Sequence, residues 1–176
     1  RYGLTPERRR PGATTHAGAA RLRLDVTTIA SQQIVAPGRI VTDDVQEGRR
    51  RTVFVRDIPG PAWFAVVSGT YIRRATNVNG IPVELYAHPS HVMNLDQLLR
   101  VTASSLADYT ARFGPYPFEA LRVVEVPRTF GGAQSLPGLI LLSEDLGFLL
   151  RSPRDSNTID LPAFVTAHEV AHQWWG

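Results

Sequence analysis

The residues with the clearest chemical potential lie together in one run, Ala167-His168-Glu169-Val170-Ala171-His172-Gln173-Trp174-Trp175-Gly176. His168 and His172 are four residues apart, so on a helix their side chains share one face, one turn apart. That spacing lets two imidazoles take adjacent corners of a tetrahedral zinc site at about 2.0–2.1 Å. Glu169 flanks the same face and can reach a metal-bound water rather than the metal. Bound zinc lowers the pKa of such a water towards ~7, and the carboxylate takes its proton as the water attacks a polarised carbonyl. The alternative is a helix carrying two histidines satisfied within a core. The surrounding Phe164, Val165, Val170, Ala171, Trp174 and Trp175 predict a buried helix. Ionisable side chains on a buried helix need partners, and a metal supplies one.

Other candidates carry less. His88 and His91 could pair on a metal, but a surface turn before a helix accounts for them better. Glu144-Asp145 either lines a cleft or caps the next segment, and His16 needs no role. There is no phosphate-binding glycine motif and no Gly-x-Ser-x-Gly elbow.

The zinc-type helix must be held by the elements before it. Asp160 is a plausible N-cap with Pro162 in the first turn, where a missing N–H costs little. Asn94 can cap an earlier helix whose Leu95, Leu98, Leu99, Thr102, Leu106, Tyr109 and Phe113 recur at three- and four-residue spacings, and Gly114-Pro115-Tyr116-Pro117 stops it. Leu121 to Val126 reads as a strand, Pro127 to Gly138 as a Gly-rich loop, Leu139 to Leu142 as another strand, and Ser152 to Asp160 as a loop. Upstream, Leu22 to Thr28 and Thr52 to Ile58 alternate as half-buried strands should. Ala62 to Val67, Tyr71-Ile72 and Ile81 to Tyr86 follow, with Gly69 and Asn79-Gly80 as turns. The expected class is α+β, an antiparallel β-sheet or sandwich fragment followed by a mixed α/β part. Residues 1–20 read as a linker or loose arm, 21–91 as the β part and 92–176 as the mixed part.

Composition bounds the rest. The chain has 176 residues, about one domain's worth, with 43% hydrophobic and 20% charged side chains, enough for a core. Cysteine is absent, which excludes thiolate metal sites, cysteine nucleophiles and disulfides. No stretch approaches the ~18 apolar residues of a membrane span. All 19 basic side chains are arginine. The runs Arg8-Arg9-Arg10 and Arg49-Arg50-Arg51 lack interleaved aromatics and read as solvated loop and turn, so no nucleic-acid partner is expected.

His-Glu-Val-Ala-His-Gln-Trp-Trp-Gly resembles the zinc helix of the M1 (gluzincin) aminopeptidases. Tyr109 to Val126 looks like the opening of that family's catalytic domain. Gly138-Leu139-Ile140 and Ser143-Glu144 match the strand after its substrate loop, and Phe64 to Tyr71 is similar to the end of its N-terminal β-domain. The resemblance implies that 21–91 closes the β-domain and that 92–176 opens a thermolysin-like catalytic domain. It makes His168 and His172 zinc ligands and Glu169 the general base of a peptide hydrolase. The third protein ligand to Zn²⁺, a glutamate, is expected beyond Gly176, so this polypeptide alone should bind zinc poorly and be inactive.

The substrate loop departs from the family. Gly132-Ala133-Gln134-Ser135 stands where a glutamate-bearing motif would anchor a substrate amine, and Ser135 replaces that glutamate. Gln134 and Ser135 could still hydrogen-bond a peptide. The loop, with Gly147-Phe148 after it, looks like a bacterial subgroup fused to a multi-spanning ABC-transporter permease. That resemblance implies a membrane-associated parent, with a cytoplasmic soluble protein as the alternative. The rival functional reading is a non-catalytic peptide-binding or regulatory domain attached to a membrane transporter.

Overall fold

Alternation of apolar and charged residues builds the first strand. In β1 (Ala20–Ile29), Leu22, Leu24 and Val26 are half-buried while Arg21, Arg23 and Asp25 face water. The computed structural model describes residues 19–153 and 157–175; the arm expected at 1–20 lies almost wholly outside them. β1 pairs antiparallel with β4 (Arg49–Gly60), which also pairs with β3 (Arg39–Gln46), giving the order β1-β4-β3. A two-stranded ribbon joins β2 (Gln33–Val35) to β5 (Val67–Gly69).

The site rests on a third, mixed sheet of order β6-β7-β8-β10-β9. β6 (Ile72–Val78) and β7 (Ile81–Ala87) form a hairpin whose turn residues, Asn79 and Gly80, both have positive φ, as a type I′ turn demands. β7 runs parallel to β8 (Leu121–Val126), and β8 parallel to β10 (Leu139–Ser143). Helix α1 (Leu95–Phe113) makes the crossover that parallel pairing requires. β8 is buried at every residue, because both sheet faces are covered. Leu121 and Val123 join Leu85, Leu98, Leu106 and Val170 on the helix side. Val124 and Val126 join Val35, Tyr86 and Leu139 on the side of the β2–β5 ribbon. The α+β class is therefore as expected, and hydrogen bonding runs through the five-stranded sheet across residue 91.

Several local expectations change. Arg49 to Arg51 begin strand β4 rather than a turn; the turn is Glu47-Gly48, both at positive φ. Aspartates on the flanking strands draw the run into the ladder, with Arg51–Asp25 at 2.5 Å and Arg50–Asp43 at 3.5 Å. Of the run Ala62 to Val67 only Val67 enters a strand, and Trp63 and Phe64 are exposed. Asn94 makes no cap hydrogen bond. Its buried amide instead donates to Gly147 O (2.8 Å) and Leu150 O (2.7 Å), tying the start of α1 to the turn after β10. Within the Gly-rich loop a further strand, β9 (Ala133–Leu136), folds back antiparallel on β10. Its hairpin turn is Pro137-Gly138, with Gly138 at φ +75°, the arrangement of a type II turn.

Two arginines act as internal clamps. Arg122 on β8, 2% exposed, donates to Glu84 Oε2 (2.6 Å) and to the carbonyls of Ala36 (2.9 Å) and Gly38 (2.5 Å). Arg56, 1% exposed, donates to Ala20 O, Gly60 O and Pro61 O. A planar multi-donor head suits such work in a way an ammonium does not. Among the described residues no helix is long and apolar enough to cross a membrane.

Candidate active site

Helix α2 (Leu161–Ala171) carries the motif, and its start is fixed locally as the sequence suggests. Asp160 accepts from Ala163 N–H (3.1 Å), and its other carboxylate oxygen takes a bond from Gln97 Nε2 (2.5 Å), anchoring α2 to α1. The helix is less buried than its composition predicts. Pro162, Thr166, Glu169 and Val170 point inward, whereas Leu161, Phe164 and Trp175 are exposed. The inward face of α2 packs on α1 and the sheet, while Leu161, Phe164, His168 and His172 are exposed on the other side.

His168 and His172 lie on the open side, with their Nε2 atoms 3.1 Å apart and their rings perpendicular. Two ligands at about 2.0–2.1 Å on a tetrahedral ion stand roughly 3.3 Å apart, so the pair already has close to the required spacing. His172 Nδ1 lies 2.8 Å from the carbonyl oxygen of Trp175. A carbonyl only accepts, so Nδ1 is the donor in this contact and Nε2 is the nitrogen turned towards His168, the one placed to ligate a metal. Glu169 is 7% exposed, and a carboxylate oxygen lies within 4.8 Å of both imidazole donors. Burial pushes its pKa up from the ordinary carboxylate value, against the opposing pull of His172 and His168. The donors fit a zinc ion with room for further ligands from the open side.

A cleft of about 400 Å³ adjoins this face, walled by Pro61, Trp63 and Phe118 and by Gln134, Glu169 and His172. Ala133, Gln134 and Ser135 of β9 all line it, while Gly132 lies outside the lining. Gly132 O instead accepts from Ser143 N–H (2.9 Å), which closes the base of the hairpin. The Ser135 hydroxyl is already engaged. It donates to Glu169 O (3.0 Å) and accepts from Gln173 Nε2 (2.5 Å), so its one proton is committed to the helix backbone. Gln134 is exposed on β9, which forms the edge of the sheet.

Gln173 is the residue that the motif reading left without a role. Buried at 6% exposure, it accepts from Gly138 N–H (2.9 Å) and Tyr116 O–H (3.3 Å). Its amide nitrogen donates to Ser135 and to Leu136 O (3.1 Å). It fastens the β9–β10 hairpin to α2 and so fixes the width of the cleft. A fully polar side chain on the inward face beside His172 was the available signal. Trp174 adds a second fastening, with Nε1–H donating to Gly114 O (3.2 Å) and its ring edge-on to Tyr109 and Tyr116. His88 and His91 do sit in the turn before α1, where His91 meets Glu125.

No protein-family model matches the chain. Curated relatives do match. It is 34% identical to endoplasmic reticulum aminopeptidase 2 of Bos taurus over 116 residues, 64% of this chain and 11% of that protein. It is 30% identical to human aminopeptidase N over 118 residues, 64% and 12% respectively. An aminopeptidase N of Acetobacter pasteurianus is 28% identical over 173 residues, 94% of this chain and 48% of that protein. The chain thus spans about a tenth to a half of the length of these relatives. A solved mutant M1 zinc metallopeptidase from Deinococcus radiodurans superposes with a TM-score of 0.67 at 23% identity, covering 90% of this chain and 35% of that one. The homologues of this chain are aminopeptidases, and its fold is that found in an M1 zinc metallopeptidase.

Proposed function

We propose that this chain is part of a zinc-dependent metallopeptidase of the M1 aminopeptidase type. The observation that carries the reading is the pair of Nε2 atoms 3.1 Å apart beside the buried Glu169 carboxylate, at the mouth of a cleft edged by β9. His168 and His172 would hold the zinc. When bound there, zinc would supply Lewis-acid polarisation of a scissile carbonyl and of a water. Glu169 would serve as the general base beside it, holding a proton on its carboxylate and giving it to the leaving amine. Its raised pKa suits this work, because a base works best when its pKa lies near the operating pH. β9 offers its free edge to an extended peptide, the mode in which main-chain pairing orients a substrate. Residues 21–91 belong to the end of a β-domain and 92–176 to the start of the catalytic domain, the two sharing the five-stranded sheet.

One observation favours a second reading, a non-catalytic peptide-binding or regulatory domain. Ser135 brings no charge to the substrate loop, and its hydroxyl proton is spent on Glu169 O. On that reading the parent carries a membrane permease portion and uses the cleft to sense peptides. The test compares the longest natural polypeptide containing this segment with its Glu169→Gln variant, measuring zinc content and peptide hydrolysis. Loss of hydrolysis with zinc retained supports the enzyme. Equal turnover by both sinks the mechanism, and bound zinc with no cleavage of any aminoacyl or internal peptide substrate favours the sensor.

A further inference from the structure

The parallel strands β7, β8 and β10 end side by side, and three metal-type donors meet there: His91 just after β7, Glu125 near the end of β8 and Glu144 just after β10. Their donor atoms all lie within 4.8 Å of one another. None of them lines the cleft of the first site. We propose that His91, Glu125 and Glu144 form a second divalent-metal site, taking zinc through one imidazole and two carboxylates.

A mixed nitrogen and carboxylate set suits a borderline ion such as zinc better than magnesium or calcium, which prefer all-oxygen cages. Each donor is aimed by its own neighbour. Glu125 is 5% exposed and its Oε2 accepts from His88 N–H (2.8 Å), which leaves Oε1 to face His91 Nδ1 at 2.5 Å. Glu144 is held from the other side, its Oε1 accepting from both Arg128 N–H and Arg128 Nε–H at 3.1 Å. Those bonds keep Glu144 ionised below the usual carboxylate range, with Oε2 left over for a metal. Outer partners of this kind are how proteins orient ligands.

With zinc bound, His91 Nδ1 and Glu125 Oε1 would both face the ion, and their separation would open from 2.5 Å to about 3.3 Å. Three protein ligands leave a coordination position open, and a cleft of about 400 Å³ lies against it, lined by Gly69, Thr70, Tyr71 and Pro127. Carboxyl ends of parallel strands are where open α/β sheets place ligands. Tyr71 donates its hydroxyl to Glu125 O (3.1 Å), and burial pushes that phenol up to about 12, so it stays a donor throughout the working range.

The test uses the chain carrying His168→Ala and His172→Ala, which removes the other donor cluster and makes the result independent of the proposed peptidase. Zinc uptake is measured by equilibrium dialysis with metal analysis at micromolar free zinc. One zinc per chain is expected, with affinity at least about tenfold weaker after Glu144→Gln or His91→Asn. The zinc-dependent rise in melting temperature should vanish in the same variants. Glu144 is only part-buried and its side chain pairs with Arg128, so Glu144→Gln keeps the test open if His91→Asn fails to fold. No zinc uptake by the double-alanine chain, or equal uptake by the Glu144→Gln variant, overturns the proposal and leaves a plain ion pair pinning the turn to β8.

Discussion

Replacing Gln173 with leucine keeps most of its volume and removes its four hydrogen bonds, so the change reads polar fastening rather than packing. Tyr116 retains Ala120 O as an acceptor and Ser135 retains Glu169 O, so neither hydroxyl is stranded. Gly138 N–H is different: its acceptor is Gln173 itself, in a buried turn. An orphaned buried donor costs about 1–3 kcal/mol, and each lost bond whose partner finds another costs about 1 kcal/mol. The total is on the order of 4–6 kcal/mol, against a stability of roughly 5–15 kcal/mol for a chain this size. With a urea slope of about 2 kcal/mol/M, the unfolding midpoint should fall by roughly 2–3 M. Hydrogen exchange at Gly138 and Ser135 should accelerate while exchange in β8 falls only with global stability, because the hairpin has lost its anchor on α2. A midpoint shift below about 0.5 M, or unchanged protection at Gly138, would show that Gln173 does not secure the wall of the cleft.

Other outcomes follow from the same structure. Arg122→Met removes the buried partner of Glu84, leaving it only Arg73 and Tyr86, and leaves two carbonyls without their guanidinium, so a loss of about 3 kcal/mol is expected in chemical denaturation. The double variant with Glu84→Leu should lose less than the two single losses combined, and strict additivity would refute the coupling. Burial alone would push Glu84 up, but Arg122 and Arg73 outweigh it and hold its carboxyl below the ordinary 4.5. The folded state therefore binds this proton less readily than the unfolded one. Stability from Glu84 is present above pH 4.5 and drains away as pH falls through its folded value. Acid melting curves should show that slope, and Glu84→Gln should flatten it. Gly38→Ala meets Val55 O at 2.6 Å in a φ of +93° and should cost about 1–3 kcal/mol in the same assay, whereas Gly48→Ala, with open space around it, should cost less.

What the sequence revealed depends on how local the physics is. The β1 and β7 strands, the α1 stripe and the Asp160 cap are written in neighbouring residues, and they appear where periodicity puts them. β9 was hidden because a four-residue strand opening with Ala-Gln-Ser carries no apolar alternation; its partner, β10, creates it. The arginine run at 49–51 was misplaced for a similar reason, since the aspartates that hold it in a ladder are up to 26 residues away. The two histidines and Glu169 were legible from spacing alone. Gln173 and Glu125 were not, and His91 and Glu144 stood out only as weak candidates, because their partners come together only when the sheet closes.

The proton that readies His172 is held by a main-chain oxygen, that of Trp175. Tautomer control here is therefore a property of how the helix unwinds, indifferent to which side chain occupies position 175. A survey of substitutions at that position would find tolerance and miss the function altogether. Only a change in the path of the backbone, such as an imposed proline or a one-residue deletion between 172 and 175, would reach it.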